Sequence, residues 1–199
     1  SLTESRLKLA NADFELDGER GKGALSVTSA GGGAVDLSLE SNRFDFDAYA
    51  PQGVPALSVA ARQGAGSFLT FVLPEADAPD LKLQVKAKEL ALNAVTARDV
   101  MVDLQSGSSG LDLRALDIGS VGGARVAASG LILDTGKGAD GSLGITVEAG
   151  DPTELIRLLG LAGSEGLPPW ALGLGQTELR ASLAVKPAAA GSELFLRAS

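Results

Sequence analysis

Apolar and polar residues alternate with a period of two along most of the chain, which is the pattern of strands with one buried and one solvated face. The clearest segment is 81–86, in which Leu81, Leu83 and Val85 alternate with lysine and glutamine. Glycine-rich breaks, such as 106–110, separate the alternating segments at intervals of about 10–15 residues. This spacing favours an antiparallel meander over β-α-β crossovers, and it predicts an all-β domain.

The alternation also shifts phase within segments. It slips by one residue at Lys88 and Glu89, after which Leu90 and Leu92 continue the apolar positions. Slips of this kind indicate β-bulges, which bend a strand and increase the local twist of a sheet. We therefore predict a curved, mainly antiparallel sheet.

One segment near the C-terminal end changes to a helical period. Asp151 suits an N-cap, Pro152 suits the first helical position, and Gly160 suits the end of a helix. An apolar stripe of leucine and isoleucine lies between them. The pattern predicts a short helix over 152–159, and a second turn near the Pro-Pro-Trp segment 168–170.

The whole chain, 1–199, is predicted to be one unit with two sheet-forming halves. The best internal boundary lies near 74–80, between Pro74 and Pro79. A weak internal repeat supports this division, since the hairpin pattern of 23–37 resembles that of 110–127. Generic hairpin chemistry would produce the same similarity.

Composition excludes several classes of function. The chain has 199 residues, a formal net charge of −8, no cysteine and no histidine. An acidic surface repels nucleic acid, because affinity for it depends on cations that displace counterions. Disulfides, thiolate metal sites and histidine general bases are absent. No apolar run approaches the roughly 20 residues that span a bilayer.

Paired carboxylates are the main enzymatic candidates. Asp45 and Asp47 lie on one face of a predicted strand, where they could act as an acid/base pair or bind a hard cation. The same alternation places them on a solvated face opposite Phe44 and Phe46, which is the simpler interpretation. The glycine-rich segments lack a following Gly-Lys-Ser/Thr. We expect no catalytic residues, no cofactor and no metal site.

The arrangement of these segments resembles the AsmA-like family of bacterial envelope proteins. The resemblance rests on 7–27, on Asp-Phe-Asp-Ala-Tyr-Ala-Pro at 45–51, on the alternating run 81–92 with its continuation through 99–104 and 110–130, and on 151–160 with the Pro-Trp turn. It implies a long antiparallel sheet folded like a gutter, with an apolar inner face. Members of that family are held by an inner-membrane helix, project through the periplasm, and are implicated in carrying phospholipid towards the outer membrane.

The resemblance therefore implies a periplasmic segment attached to the inner membrane through an anchor that is absent from this chain. A phospholipid or another acyl-chain ligand is the expected partner. An acyl chain gains about 0.8 kcal/mol per buried methylene, so a 16-carbon tail needs shelter worth about 10 kcal/mol. Ten apolar residues are predicted to line the groove: Leu81, Leu83, Val85, Leu90, Leu92, Val100, Val102, Leu104, Leu111 and Leu113.

Two alternatives remain open from the sequence. In the first, the chain is a structural or adhesive glycine-rich β-sandwich, in which the same apolar residues pack on each other in a closed core. In the second, it is a carboxylate-based hydrolase that uses pairs such as Asp45 and Asp47. Period-two alternation does not distinguish an open apolar face from a filled one.

Overall fold

A computed structural model describes residues 6–16, 18–29, 32–45, 79–92, 95–151, 153, 175–188 and 191–199. They form ten strands: β1 (Arg6–Leu16), β2 (Glu19–Thr28), β3 (Ala34–Asp45), β4 (Asp80–Leu92), β5 (Val95–Gly107), β6 (Gly110–Val121), β7 (Ala124–Asp134), β8 (Ala139–Ala149), β9 (Thr177–Ala188) and β10 (Gly191–Ala198). All ten lie in one sheet, and their order in the sheet follows their order in the chain. The predicted all-β fold is confirmed.

The sheet is mainly antiparallel, as predicted, with one exception. β3 and β4 run parallel, with Val35 opposite Leu81 and Phe44 opposite Leu90. Parallel neighbours need a long connection, which here is supplied by 46–78. Those residues, and with them most of the predicted boundary near 74–80, lie outside the described part of the chain. The strands before and after the boundary belong to the same sheet.

The predicted helix over 152–159 and the turn near 168–170 also lie outside the described residues, apart from Thr153. At the start of that segment, the backbone N–H of Thr153 donates a hydrogen bond to Oδ1 of Asp151, with an N···O distance of 2.9 Å. A helix N-cap residue makes this kind of contact. The helix itself stays a prediction.

Irregular positions interrupt the strands near their middle. The pairing of β1 with β2 shifts by one residue between Leu9 and Ala12, where Asn11 has a φ of 51°. The phase slip predicted at Lys88 and Glu89 is present in β4, and β5 slips at the same level at Asp99, whose φ is also 51°. Because both strands slip together, their register continues unchanged past this point.

The sheet is open and has a single layer among the described residues. Contacts run almost entirely between strands that are neighbours in the sheet order. β1 and β10 form the two edges, and each pairs with one described strand. No second described layer is therefore packed across either face of the sheet.

Gly130 allows two neighbouring strands to approach closely. Its φ is 153°, and a Cβ added there would lie 2.7 Å from the Cα of Leu143 on β8. We expect Gly130→Ala to lower the free energy of unfolding by about 3 kcal/mol, because the backbone is strained and the strands must separate.

Gly144 provides the matched control for this prediction. It lies on the facing strand, and a Cβ added there would meet nothing closer than the carbonyl oxygen of Ser129 at 3.8 Å. We expect Gly144→Ala to change stability by less than about 1 kcal/mol. Urea denaturation measures both variants, and equal effects would contradict the assigned role of Gly130.

Candidate functional site: an apolar sheet face

Strand register gathers the apolar residues on one face of the sheet, because residues directly opposite each other in paired strands point to the same side. The clearest case is a row of leucines that crosses nine strands and is interrupted only at Gly130. We call this the leucine row. Its members are Leu9, Leu25, Leu37, Leu83, Leu104, Leu113, Gly130, Leu143 and Leu183. At about 4.8 Å between strands, the row is roughly 38 Å long.

Four further rows run beside the leucine row on the same face. One of them passes through Val27, Leu81 and Ile132. The other three each pass through one of Val102, Val100 and Leu90. Along all five rows the described positions hold aliphatic, phenylalanine, alanine, glycine, serine or threonine residues and no charged residue. We refer to this surface as the apolar face.

Nine of the ten predicted groove residues have described side chains on the apolar face. Three directly opposite pairs show this: Leu83 with Leu104, Val85 with Val102, and Leu104 with Leu113. Leu90 is three residues after Ala87, and the slip in β4 places both residues on the apolar face. Leu92 pairs with Val95, but its side chain lies outside the described residues. The remaining members are Leu81, Val100 and Leu111.

Two clusters of buried residues occupy opposite corners of the apolar face. The first is built on Ile132, Leu143 and Val185, with Leu111 and Leu113 against it. The second is built on Phe44, Val85, Ala87, Ala97 and Val100, and Phe14 packs against it. Part of the predicted groove therefore contributes to the protein's own core, since Val85 and Val100 are only 7% and 5% exposed.

Aromatic packing strengthens the second cluster. The rings of Phe14 on β1 and Phe44 on β3 stack with centroids 6.3 Å apart. Phe14 covers Gly21 on the intervening strand, where an added Cβ would overlap the phenyl ring. A larger residue at Gly21 would displace Phe14, so glycine is needed for this contact.

Other apolar side chains on this face remain exposed. Leu7, Leu9 and Leu179 are 54%, 48% and 43% exposed. Leu179 was not among the predicted groove residues, because sequence alone does not align β9 with the central strands. Its pairing opposite Val147 of β8 is what places it on the apolar face.

The opposite face is polar and charged. Across β1 to β4, Asp13, Lys22, Glu40 and Lys86 lie in one row, so that charges of opposite sign face each other across each strand pair. Exposed ion pairs include Arg98 with Glu89, 3.4 Å apart between nitrogen and oxygen. Such pairs contribute only about 0–1 kcal/mol each, so this face provides solubility more than stability.

A pocket of about 570 Å³ lies where several strands slip, among mixed charges that include Arg20, Lys88 and Asp99. Acidic and basic groups alternate around it. No group of three or more metal-ligating acidic side chains occurs in the described ranges. The pocket therefore does not present the charge of a dedicated cation or anion site.

Of the two carboxylates considered as an acid/base pair, Asp45 and Asp47, the structure describes only the first. Asp45 closes β3, and its Oδ2 lies 3.2 Å from Nη2 of Arg43, with which it forms an ion pair. Asp47 lies outside the described residues. The contact with Arg43 gives Asp45 an ordinary role in a surface ion pair.

Among the residues that the structure describes, no helix is long and apolar enough to cross a membrane. In comparisons with protein-family models, with curated proteins and with solved structures, no match to this chain was found.

Proposed function

We propose that the apolar face shelters the acyl chains of a phospholipid or a similar lipid, and that the chain catalyses no reaction. In this proposal it is a periplasmic segment of an AsmA-like envelope protein, which contributes to phospholipid transport between the inner and outer membranes and to outer-membrane assembly. The resemblance supplies the location and the membranes. The observation that carries the proposal is the uncharged apolar face on an open sheet.

Shelter of an acyl chain requires apolar area and no specific polar contact. Each methylene removed from water contributes about 0.8 kcal/mol, and the leucine row offers a continuous line of such area across the sheet. In the proposed arrangement the sheet curves so that this face becomes the inside of a gutter. The slips at Asn11 and Asp99 support curvature, because irregularities of this kind bend strands.

A closed-core structural or adhesive module is the second candidate. It is supported by the two buried clusters, since Ile132 and Val185 are fully buried on the apolar face. In this candidate the face is filled by the protein's own residues and holds no ligand. The two candidates differ in whether a guest molecule accompanies the folded chain.

Native mass spectrometry of the chain purified from a Gram-negative periplasm tests the proposal. We expect a population with one or more bound phospholipids, identified by organic extraction and lipid analysis, because the apolar face retains acyl chains through purification. A matched sample of an unrelated periplasmic β-protein controls for carry-over. A lipid-free chain that also fails to bind a fluorescent fatty acid would support the closed core instead.

A further inference from the structure

The edge strand β1 exposes apolar side chains that are covered elsewhere in the same rows. Leu9 is 48% exposed, although its neighbours along the leucine row are half-buried or buried. Among the described strands, β1 pairs only with β2. Proteins usually protect such edges with proline, short strands or inward-pointing charges. β1 is 11 residues long and contains no proline, and its apolar face carries no charge.

The charges of β1 are arranged so that the strand is complementary to itself. Arg6 and Lys8 lie at its start, and Asp13 and Glu15 lie near its end, all on the polar face. If two such strands run antiparallel, Arg6 comes opposite Glu15. In the same register Lys8 comes opposite Asp13. No ion pair between described residues uses any of these four side chains.

The apolar residues agree with the same register. Leu7 comes opposite Phe14, and Leu9 comes opposite Ala12. In a regular strand, residues an odd number apart point to opposite faces, so Leu7 and Phe14 could not share a side. The slip at Asn11 reverses the phase of β1 at the centre of this pairing, and it places all four residues on the apolar face. In this register the irregular position of one β1 strand lies opposite the irregular position of the other.

We propose that β1 is a docking edge for a second copy of this chain. The two strands pair antiparallel about a two-fold axis through the level of Ala10 and Asn11. This joins the two sheets and places both apolar faces on the same side. Such an isologous contact is self-limiting, because each copy uses the same edge once. The inference does not depend on the proposed lipid function.

The other edge, β10, is the competing site. It carries a single oppositely charged pair, Glu193 and Arg197, and it is 8 residues long. β1 offers two complementary pairs over a longer strand. β1 also has the phase reversal that its register requires, so we assign the contact to β1.

Sedimentation velocity of the full chain tests the assignment. We expect a concentration-dependent dimer for the unsubstituted protein. In the variant Arg6→Glu/Lys8→Glu, like charges meet across the two-fold axis, and we expect self-association to weaken by about a hundredfold. Within the same chain the two substituted positions lie opposite Thr28 and Ser26, which are uncharged, so the fold should be retained. Glu193→Lys on β10 is the matched control and should leave the dimer intact.

A charge-swap experiment makes the test specific. The variant Asp13→Lys/Glu15→Lys should also be monomeric, whereas its mixture with Arg6→Glu/Lys8→Glu should form a heterodimer. Asp13 and Glu15 lie opposite Lys22 and Arg20 in their own chain, so Asp13→Lys/Glu15→Lys places like charges within the sheet. If this variant does not fold, cysteine cross-linking tests the same register. The chain has no cysteine of its own, so Leu9→Cys mixed with Ala12→Cys should give a disulfide-linked heterodimer on oxidation.

Three results would overturn the proposal. The first is a protein that stays monomeric up to millimolar concentration. The second is a dimer that is unaffected by Arg6→Glu/Lys8→Glu but lost in Glu193→Lys, which would assign the contact to β10. The third is a cross-linking yield between Leu9→Cys and Ala12→Cys that is no higher than the yield between Leu9→Cys and Phe195→Cys.

Discussion

Replacing Val102 with glutamate is expected to abolish lipid retention, whereas replacing its neighbour Met101 with glutamate should leave it unchanged. Val102 lies opposite Val85 on the apolar face, and Met101 lies opposite Lys86 on the polar face. A carboxylate beside an acyl chain must either be desolvated or neutralised, at a cost of several kcal/mol. At Met101, which is 37% exposed, the same carboxylate stays in water. The measurement is native mass spectrometry with lipid extraction.

Folding of the variant decides between the two proposed functions. An open face should tolerate Val102→Glu with a cooperative thermal transition and without lipid, and Leu83→Glu should behave alike. In a closed core the new charge has no access to water, so both variants should fail to fold. Lipid bound to a folded Val102→Glu protein at the level of the unsubstituted chain would contradict the proposed groove.

A second pair of positions tests lipid binding by the apolar face with exposed residues, whose substitution disturbs folding least. Leu179 on the apolar face and Phe195 on the polar face are similarly exposed, at 43% and 49%. Leu179→Glu should reduce lipid retention, and Phe195→Glu should not. Equal retention in both would place the lipid elsewhere on the chain.

Replacing Ile132 with alanine is expected to lower the free energy of unfolding by about 3 kcal/mol. Ile132 is completely buried against Leu143 and Val185, and truncation of such a residue leaves a cavity that the sheet cannot fully close. Its neighbour Leu131 is 46% exposed on the other face, so Leu131→Ala should cost less than about 1 kcal/mol. Urea denaturation of the two variants gives the comparison.

The outcome for Ile132 also bears on the architecture. Ile132 and Leu131 are adjacent and point to opposite sides of β7. A large difference between their contributions to the free energy of unfolding would therefore show which side of the strand is packed. If Leu131→Ala and Ile132→Ala proved equally destabilising, the apolar face would not be the side on which the core lies.

Local alternation was sufficient to predict strands and to group the apolar residues of β4, β5 and β6. Leu83 and Val85 could be assigned to one side because a period of two is a property of the extended backbone itself. The phase slip at Lys88 and Glu89 was also visible, since Leu90 resumes the pattern one residue out of step. The answering slip at Asp99 was not predicted, although Ala97 and Val100, which share the apolar face, are an odd number of residues apart in the sequence.

The sequence by itself determined that this chain forms strands with one apolar and one charged face, and that it lacks histidine and cysteine chemistry. Only the tertiary structure decided that β3 and β4 run parallel, that Leu9 and Leu183 lie in one row, and that Ile132 is buried while Leu179 is exposed. The physical reason is that alternation is set by bonds between neighbouring residues. Register and burial depend instead on which distant strands pair, and each pairing is chosen by the fit of whole faces across the sheet.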